Sequence, residues 1–149
     1  MSTAEQSVDV NVDVTTAYDQ WARFESFPRW MEGVTSVAQI DDTRLHWVAK
    51  VKSEVATVEN ETREWDARIT EQVRGRRISW ESVGGKPEEK PNAGHVTFEP
   101  LGAAACRVTF RMDWEPEAAL QANESYMLAA VNQVVAEDLA RFKDFIEAR

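Results

Sequence analysis

The segment SVDVNVDV (7–14) alternates without a break: Val8, Val10, Val12 and Val14 fall on one side, Asp9, Asn11 and Asp13 on the other. A period of two belongs to a strand with one buried face, so a half-buried strand is predicted here. The period then changes. Thr15 or Thr16 is placed to cap a short helix carrying Tyr18, Trp21, Ala22 and Phe24, and a second helical turn is predicted over 27–31, ended by Gly33. Strand patterns return at 34–40, 44–51, 65–73, 77–83, 95–99 and 106–114. Turn chemistry separates them at Asp41-Asp42, around Gly75 and at Pro100-Leu101-Gly102, together with the loop GGKPEEKPNAG (84–94). No internal repeat is present.

Pro116 stops the last strand, and 117–148 contains neither proline nor glycine, with Leu128, Val131, Val135, Leu139, Phe142 and Ile146 spaced by threes and fours. This predicts one long amphipathic helix. At 1.5 Å per residue it would run roughly 48 Å, longer than a small domain is wide, so a sheet packed on it must curve around it. The order of one strand, two short helices, six strands and a long helix is an α+β arrangement.

Alternation also assigns each strand an inner face. Leu45, Trp47, Ala49 and Val51 oppose His46 and Lys50; Trp65, Ala67 and Ile69 oppose Glu64, Asp66 and Arg68; Ile78, Trp80 and Ser82 oppose Arg77, Ser79 and Glu81. Val96 and Phe98 point inward from the sixth strand, and Cys106, Val108, Phe110, Met112 and Trp114 from the seventh. Four of the six tryptophans thus share one concave face. On the last helix Leu139, Phe142, Phe145 and Ile146 are bulky enough to seal the sheet, while Leu120, Asn123, Tyr126, Met127, Ala130 and Val134 are placed to overlook a cavity.

Composition narrows the classes of function. The 149 residues suit a single domain spanning 1–149. A net charge of −9 disfavours nucleic acid and anionic membranes, and the one basic cluster, Arg74, Arg76 and Arg77, surrounds a turn glycine and reads as solvated. No segment approaches the ~20 apolar residues needed to span a bilayer and no secretory pattern opens the chain, so no membrane insertion and a cytoplasmic location are expected. Cys106, the single cysteine, fits a small buried apolar role.

The phrases FPRWMEGV (27–34), DDTRLHW (41–47), ITEQVRGRRISWESVGG (69–85), AGHVTFEPLG (93–102) and DLARFKDFIEAR (138–149), in this order, resemble the polyketide cyclase/dehydrase family of the START-like (SRPBCC, Bet v 1-like) superfamily, in a bacterial-type form. The resemblance covers nearly the whole chain. It implies a helix-grip fold, in which a curved seven-stranded antiparallel sheet wraps the long C-terminal helix around an apolar cavity. The connections at 52–63 and 86–91 look several residues longer than that pattern, where such loops rim the cavity.

The inward residues and the resemblance together predict a binding protein for a hydrophobic polyketide-, aromatic- or lipid-like small molecule. Trp47, Trp65, Trp80, Phe98, Phe110, Met112, Trp114, Asn123, Tyr126 and Met127 are the expected ligand contacts. The alternative is a cofactor-independent polyketide cyclase, aromatase or dehydrase, for which Tyr126, Asn123 and Ser82 are the candidate polar groups. His46 and His95 are the only histidines and both fall on the outer face, so neither a metal site nor a nucleophile triad has material, and no cofactor is expected.

Overall fold

The computed structural model describes residues 2–31, 33–52, 60–83, 92–114 and 124–148, and places side chains within them except at 2, 50–52, 60–63, 114 and 124–130. Strand β1 (Ser2–Val10) leads into helix α1 (Val14–Trp21) and a 3-10 helix (Phe24–Arg29). Strands β2 (Val34–Gln39), β3 (Arg44–Lys52), β4 (Asn60–Val73), β5 (Arg77–Val83), β6 (Asn92–Gly102) and β7 (Ala105–Trp114) follow, and the chain closes with α2 (Glu124–Glu147). All strands lie in one antiparallel sheet of order β1-β7-β6-β5-β4-β3-β2. Strands β2 to β7 form a meander, and β1 pairs with β7 at its far side. The sheet curls into a half-barrel around the C-terminal helix, which is the helix-grip arrangement.

Three local expectations need correction. The first strand starts earlier and stops at Val10 rather than Val14, because Asp13, in an extended conformation, takes the helix N-cap where Thr15 or Thr16 was expected. Its carbonyl accepts the first helical bond from Ala17 at 3.1 Å, and its carboxylate accepts from the Thr16 hydroxyl. The second helical segment begins at Phe24, not 27, as a 3-10 helix. The β6–β7 turn falls at Ala103 and Ala104, since Pro100 and Gly102 are still paired with Cys106 and Ala105 through a bulge. Around Gly75 the turn is as expected, and its φ of 74° is one that glycine adopts without strain.

Helix α2 spans 24 residues, roughly 36 Å, and buries Val135, Leu139, Phe142 and Ile146. Phe145 packs half-buried against the core. Val134 does not overlook the interior; at 51% exposure it faces solvent, because one residue is about 100° around the helix from buried Val135. The helix runs along β1, an edge strand whose Glu5 amide donates to Asn132 Oδ1 at 3.2 Å, while Lys143 Nζ donates to the Asp9 carbonyl at 2.9 Å. These bonds occupy backbone groups that an open edge would otherwise leave to another chain.

The outer face of the sheet carries paired charges, among them Arg68 with Glu81 at 2.6 Å and Arg107 with Asp9 at 2.9 Å. His46 sits here, half-buried, with Nδ1 2.7 Å from Asp66 and Nε2 3.2 Å from Glu64. Hydrogen bonds to Asp66 and then Glu64 raise the His46 pKa above its usual 6.5. The folded state therefore holds this proton more tightly than the unfolded chain. Its contribution is complete below pH 6.5 and is lost as pH rises through the elevated value. His46→Gln should accordingly lower the urea midpoint most on the acid side of neutrality, with the difference from wild type shrinking as pH rises; a difference that widens with pH contradicts the assignment.

Candidate functional site

The inner face is built by β-alternation, as the sequence predicts. Leu45, Trp47, Ala49, Ala67, Ile69, Ile78, Trp80, Val96, Phe98, Cys106, Val108 and Phe110 are buried, and Trp65, Ser82 and Met112 are half-buried on the same side. Among the expected ligand contacts, Trp114, Tyr126 and Met127 have side chains outside the described residues, and Asn123 lies outside them altogether, as do Leu120 and the loop 86–91. Ala130 and Val51 likewise have no described side chain.

Three indoles form a stack on this face. Trp47 and Trp65 are cross-strand partners on β3 and β4, with ring centroids 5.8 Å apart and planes 6° from parallel. Trp80 on β5 lies 6.3 Å from Trp47 at 25°. Strands two apart are separated by about 9.6 Å, so these two rings must lean toward each other across β4. Ala67 makes this possible. It stands on β4 between Trp65, which faces Trp47, and Ile69, which faces Trp80, and a side chain this small leaves room for rings that lean across the strand.

Gly94 has a matching role on β6. It is the cross-strand partner of Trp80, and a Cβ built there would lie 2.3 Å from Cε2 and Cζ2 of that ring. The indole therefore lies flat on the glycine backbone. Phe110 on β7 continues the aromatic surface 6.0 Å beyond Trp80.

A second aromatic group, which alternation along the strands does not reveal, supports the first. Trp21, at the end of α1, is fully buried and lies 4.7 Å from Trp30, 5.1 Å from Phe142, 5.3 Å from Phe110, 5.9 Å from Phe27 and 6.3 Å from Phe98. Phe27 in turn sits 5.3 Å from Trp47, so the short helices, α2 and the inner face meet through rings. A signal for this is present in the chain: Trp21, Phe24, Phe27 and Trp30 recur every third residue, the repeat of a 3-10 turn. The Nε1–H groups of Trp21, Trp30 and Trp47 are buried without a hydrogen-bond acceptor among the described residues.

Among the described residues, polar chemistry on the inner face is sparse. Ser82 is half-buried on the inner face, and its Oγ accepts from the Asn92 amide at 2.9 Å. Cys106 is buried, and burial first, then the nearby acids, pushes its thiol up to about 11, which removes it as a nucleophile near neutrality. His95 is on the outer face, 2.5 Å from Ser79 Oγ. Among the described residues no group of three or more His, Cys, Asp or Glu side chains is placed to hold a metal ion.

Two open clefts have no tryptophan in their lining. One, of about 510 Å3, is lined by Asn11, Val12, Thr16, Ile146 and Glu147; the other, of about 490 Å3, by Gln20, Arg23, Glu25, Ser26, Arg29 and Phe145. Both sit where α1 and the 3-10 helix meet the end of α2, and neither includes a residue of the inner face. No helix among the described residues is long and apolar enough to cross a membrane.

Residues 10–143 match the family described as polyketide cyclase / dehydrase and lipid transport. The whole chain is 40% identical to an uncharacterized 17.2 kDa protein in the melC2-rnhH intergenic region of Streptomyces lincolnensis, covering 92% of that protein. The fold is similar to that of the Zhui aromatase/cyclase from Streptomyces sp. R1128, with a TM-score of 0.75 at 17% identity over 99% of this chain and 94% of that one. It is also similar to a START superfamily protein from Mycobacterium smegmatis, with a TM-score of 0.66 at 13% identity over 97% and 99% of the two chains. At these identities the structural likenesses establish the fold alone.

Proposed function

We infer, from the premise that this chain belongs to the polyketide cyclase/dehydrase and lipid transport family, that its inner face binds a hydrophobic small molecule, polyketide-like, aromatic or lipid-like, between the sheet and the C-terminal helix. The observation that carries this reading is the parallel stack of Trp47, Trp65 and Trp80. Parallel indoles present a flat apolar surface to a flat guest, and a few polar edges can orient it. The described length of α2 packs on β1 and β7, at one end of the strand order, whereas the stack stands on the same inner face at β3 to β5.

The test is intrinsic tryptophan fluorescence titrated with polyaromatic, polyketide-like, lipid and isoprenoid compounds. A saturable shift or quench is expected with at least one flat compound, and silence with all of them would sink the reading. Trp80→Ala should weaken that binding about tenfold, the worth of an aromatic contact plus its buried area. Trp21→Ala, measured on folded protein, should weaken it less; equal losses contradict the assignment of Trp80 to the ligand face.

A second reading, a cyclase or dehydrase, is favoured by one observation besides the family's description. The Ser82 hydroxyl accepts from the Asn92 amide and keeps its own proton to donate from the inner face. Tyr126 and Asn123 are the other candidate groups under this reading. An enzyme would form product at a rate that follows a titrating group, whereas a carrier gives saturable binding and no product.

A further inference from the structure

The cleft of about 490 Å3 between α1, the 3-10 helix and α2 carries a row of hydrogen-bond donors along one wall. Side chains three residues apart eclipse one another in a 3-10 turn, so the repeat that buries Trp21, Phe24, Phe27 and Trp30 also sets Arg23, Ser26 and Arg29 in register beside them. The two arginines are exposed, about 12 Å apart along the axis at 2.0 Å per residue, with Ser26 between them. Arginines of the sheet and α2 are mostly committed, since Arg68, Arg107, Arg111 and Arg141 each hold a carboxylate. The guanidinium groups of Arg23 and Arg29 make no ion pair or hydrogen bond among the described residues. Carboxylates are not in short supply, with 26 Asp and Glu against 17 Lys and Arg in the chain. The acid in this lining, Glu25, accepts from the Gln39 amide at 3.2 Å, so the wall keeps a net positive charge on a chain of −9.

Gln20 closes the wall from α1 and is only 3% exposed. Its neighbours fix which way its amide is turned. The Ser26 hydroxyl gives its single proton to the Arg23 carbonyl at 2.6 Å, so at 3.2 Å it must accept from the Gln20 NH2 group. That uses one of the two Gln20 amide hydrogens, and the other has no acceptor among the described residues. Phe145, half-buried, supplies the apolar part of the lining. A neutral hydrophobic molecule would leave these donors unmet, whereas a carboxylate or phosphate matches the guanidinium fork.

We propose that this cleft binds a small organic anion, its carboxylate or phosphate held by Arg23 and Arg29 and its apolar body against Phe145. A volume of about 490 Å3 is that of a small-molecule site. No residue of the inner face lines the cleft, so the site is separate from the one proposed above and stands or falls without it.

The experiment compares 1-naphthyl phosphate and 1-naphthoate with 1-naphthol, which share a ring and differ in head group. Backbone amide resonances are followed in 15N-labelled protein, and dissociation constants are read from the shifts at Gln20, Arg23, Ser26, Arg29 and Phe145. At least one anion should bind there about tenfold or more tightly than 1-naphthol, the worth of a charge-assisted hydrogen bond, and should weaken as salt is added. Binding by the phosphate, the carboxylate or both supports the site and identifies its head group. The Arg23→Gln/Arg29→Gln double variant should lose the preference for the anion while unfolding at the wild-type temperature, since both side chains are exposed. Trp80→Ala should leave that preference unchanged. Failure of both anions to move these resonances, or anion binding that the double substitution does not weaken, would overturn the proposal while leaving the hydrophobic-ligand reading intact. Wild-type shifts confined to β3, β4 and β5 would overturn it as well, by assigning the anions to the indole stack, and they decide the matter even where the variant does not fold.

Discussion

Trp21→Ala is expected to destabilise the protein by about 3–5 kcal/mol, the range seen when a large buried aromatic is truncated and its cavity remains. The magnitude belongs at the upper end because Trp21 joins four parts of the molecule at once. Its ring touches Phe27 and Trp30 of the short helical segment, Phe98 on β6, Phe110 on β7 and Phe142 on α2. None of these rings can fill the gap without leaving another, since each is itself packed against a neighbour. In a chain of this size such a loss lowers Tm by roughly 10 °C. Urea denaturation should show a reduced midpoint with an unchanged slope, and Trp21→Phe should recover at least half of the loss. A Trp21→Ala midpoint indistinguishable from wild type would mean that the ring cluster is not the joint described here.

Gly94→Ala is expected to cost about 1–3 kcal/mol, although alanine is ordinarily the better residue in a strand. The backbone at Gly94 is not in the left-handed region, so the penalty comes from the ring above it alone. With a methyl group 2.3 Å from Cε2 and Cζ2, the Trp80 indole must lift off β6, and the 25° stacking on Trp47 is lost with it. The near-ultraviolet circular dichroism of the coupled indoles should fall in parallel. The decisive measurement is the double mutant. In a Trp80→Ala background the obstacle is gone, so Gly94→Ala should become neutral or slightly stabilising, giving a coupling energy of about 1–3 kcal/mol. Strict additivity would show that Trp80 does not rest on Gly94. Because the same displacement removes the flat surface, Gly94→Ala should also weaken any ligand that Trp80→Ala weakens.

The two substitutions separate what holds the fold from what forms the candidate site. Trp21 works as a structural joint and Trp80 as an inward surface supported from below by Gly94. The outer face, with its exposed ion pairs, contributes little by comparison, since pairs of this kind are each worth about 0–1 kcal/mol.

The linear chain determined the inward faces. Strand geometry turns successive side chains to opposite sides, so Leu45, Trp47 and Ala49, or Ile78 and Trp80, could be assigned together from their charged neighbours with no knowledge of what they pack on. The 3.6-residue period did the same for Val135, Leu139, Phe142 and Ile146, and it failed for Val134 only because a wide apolar stripe leaves its margin ambiguous. Tertiary structure alone decided which strands are neighbours, that β1 closes against β7, that Trp47 and Trp80 meet across β4, that Trp80 lies on Gly94, and that Asp66 and Glu64 hold His46. Periodicity is a property of one segment at a time. Pairing order, register and the curl of the sheet arise between segments far apart in the chain, and the site exists only in those relations.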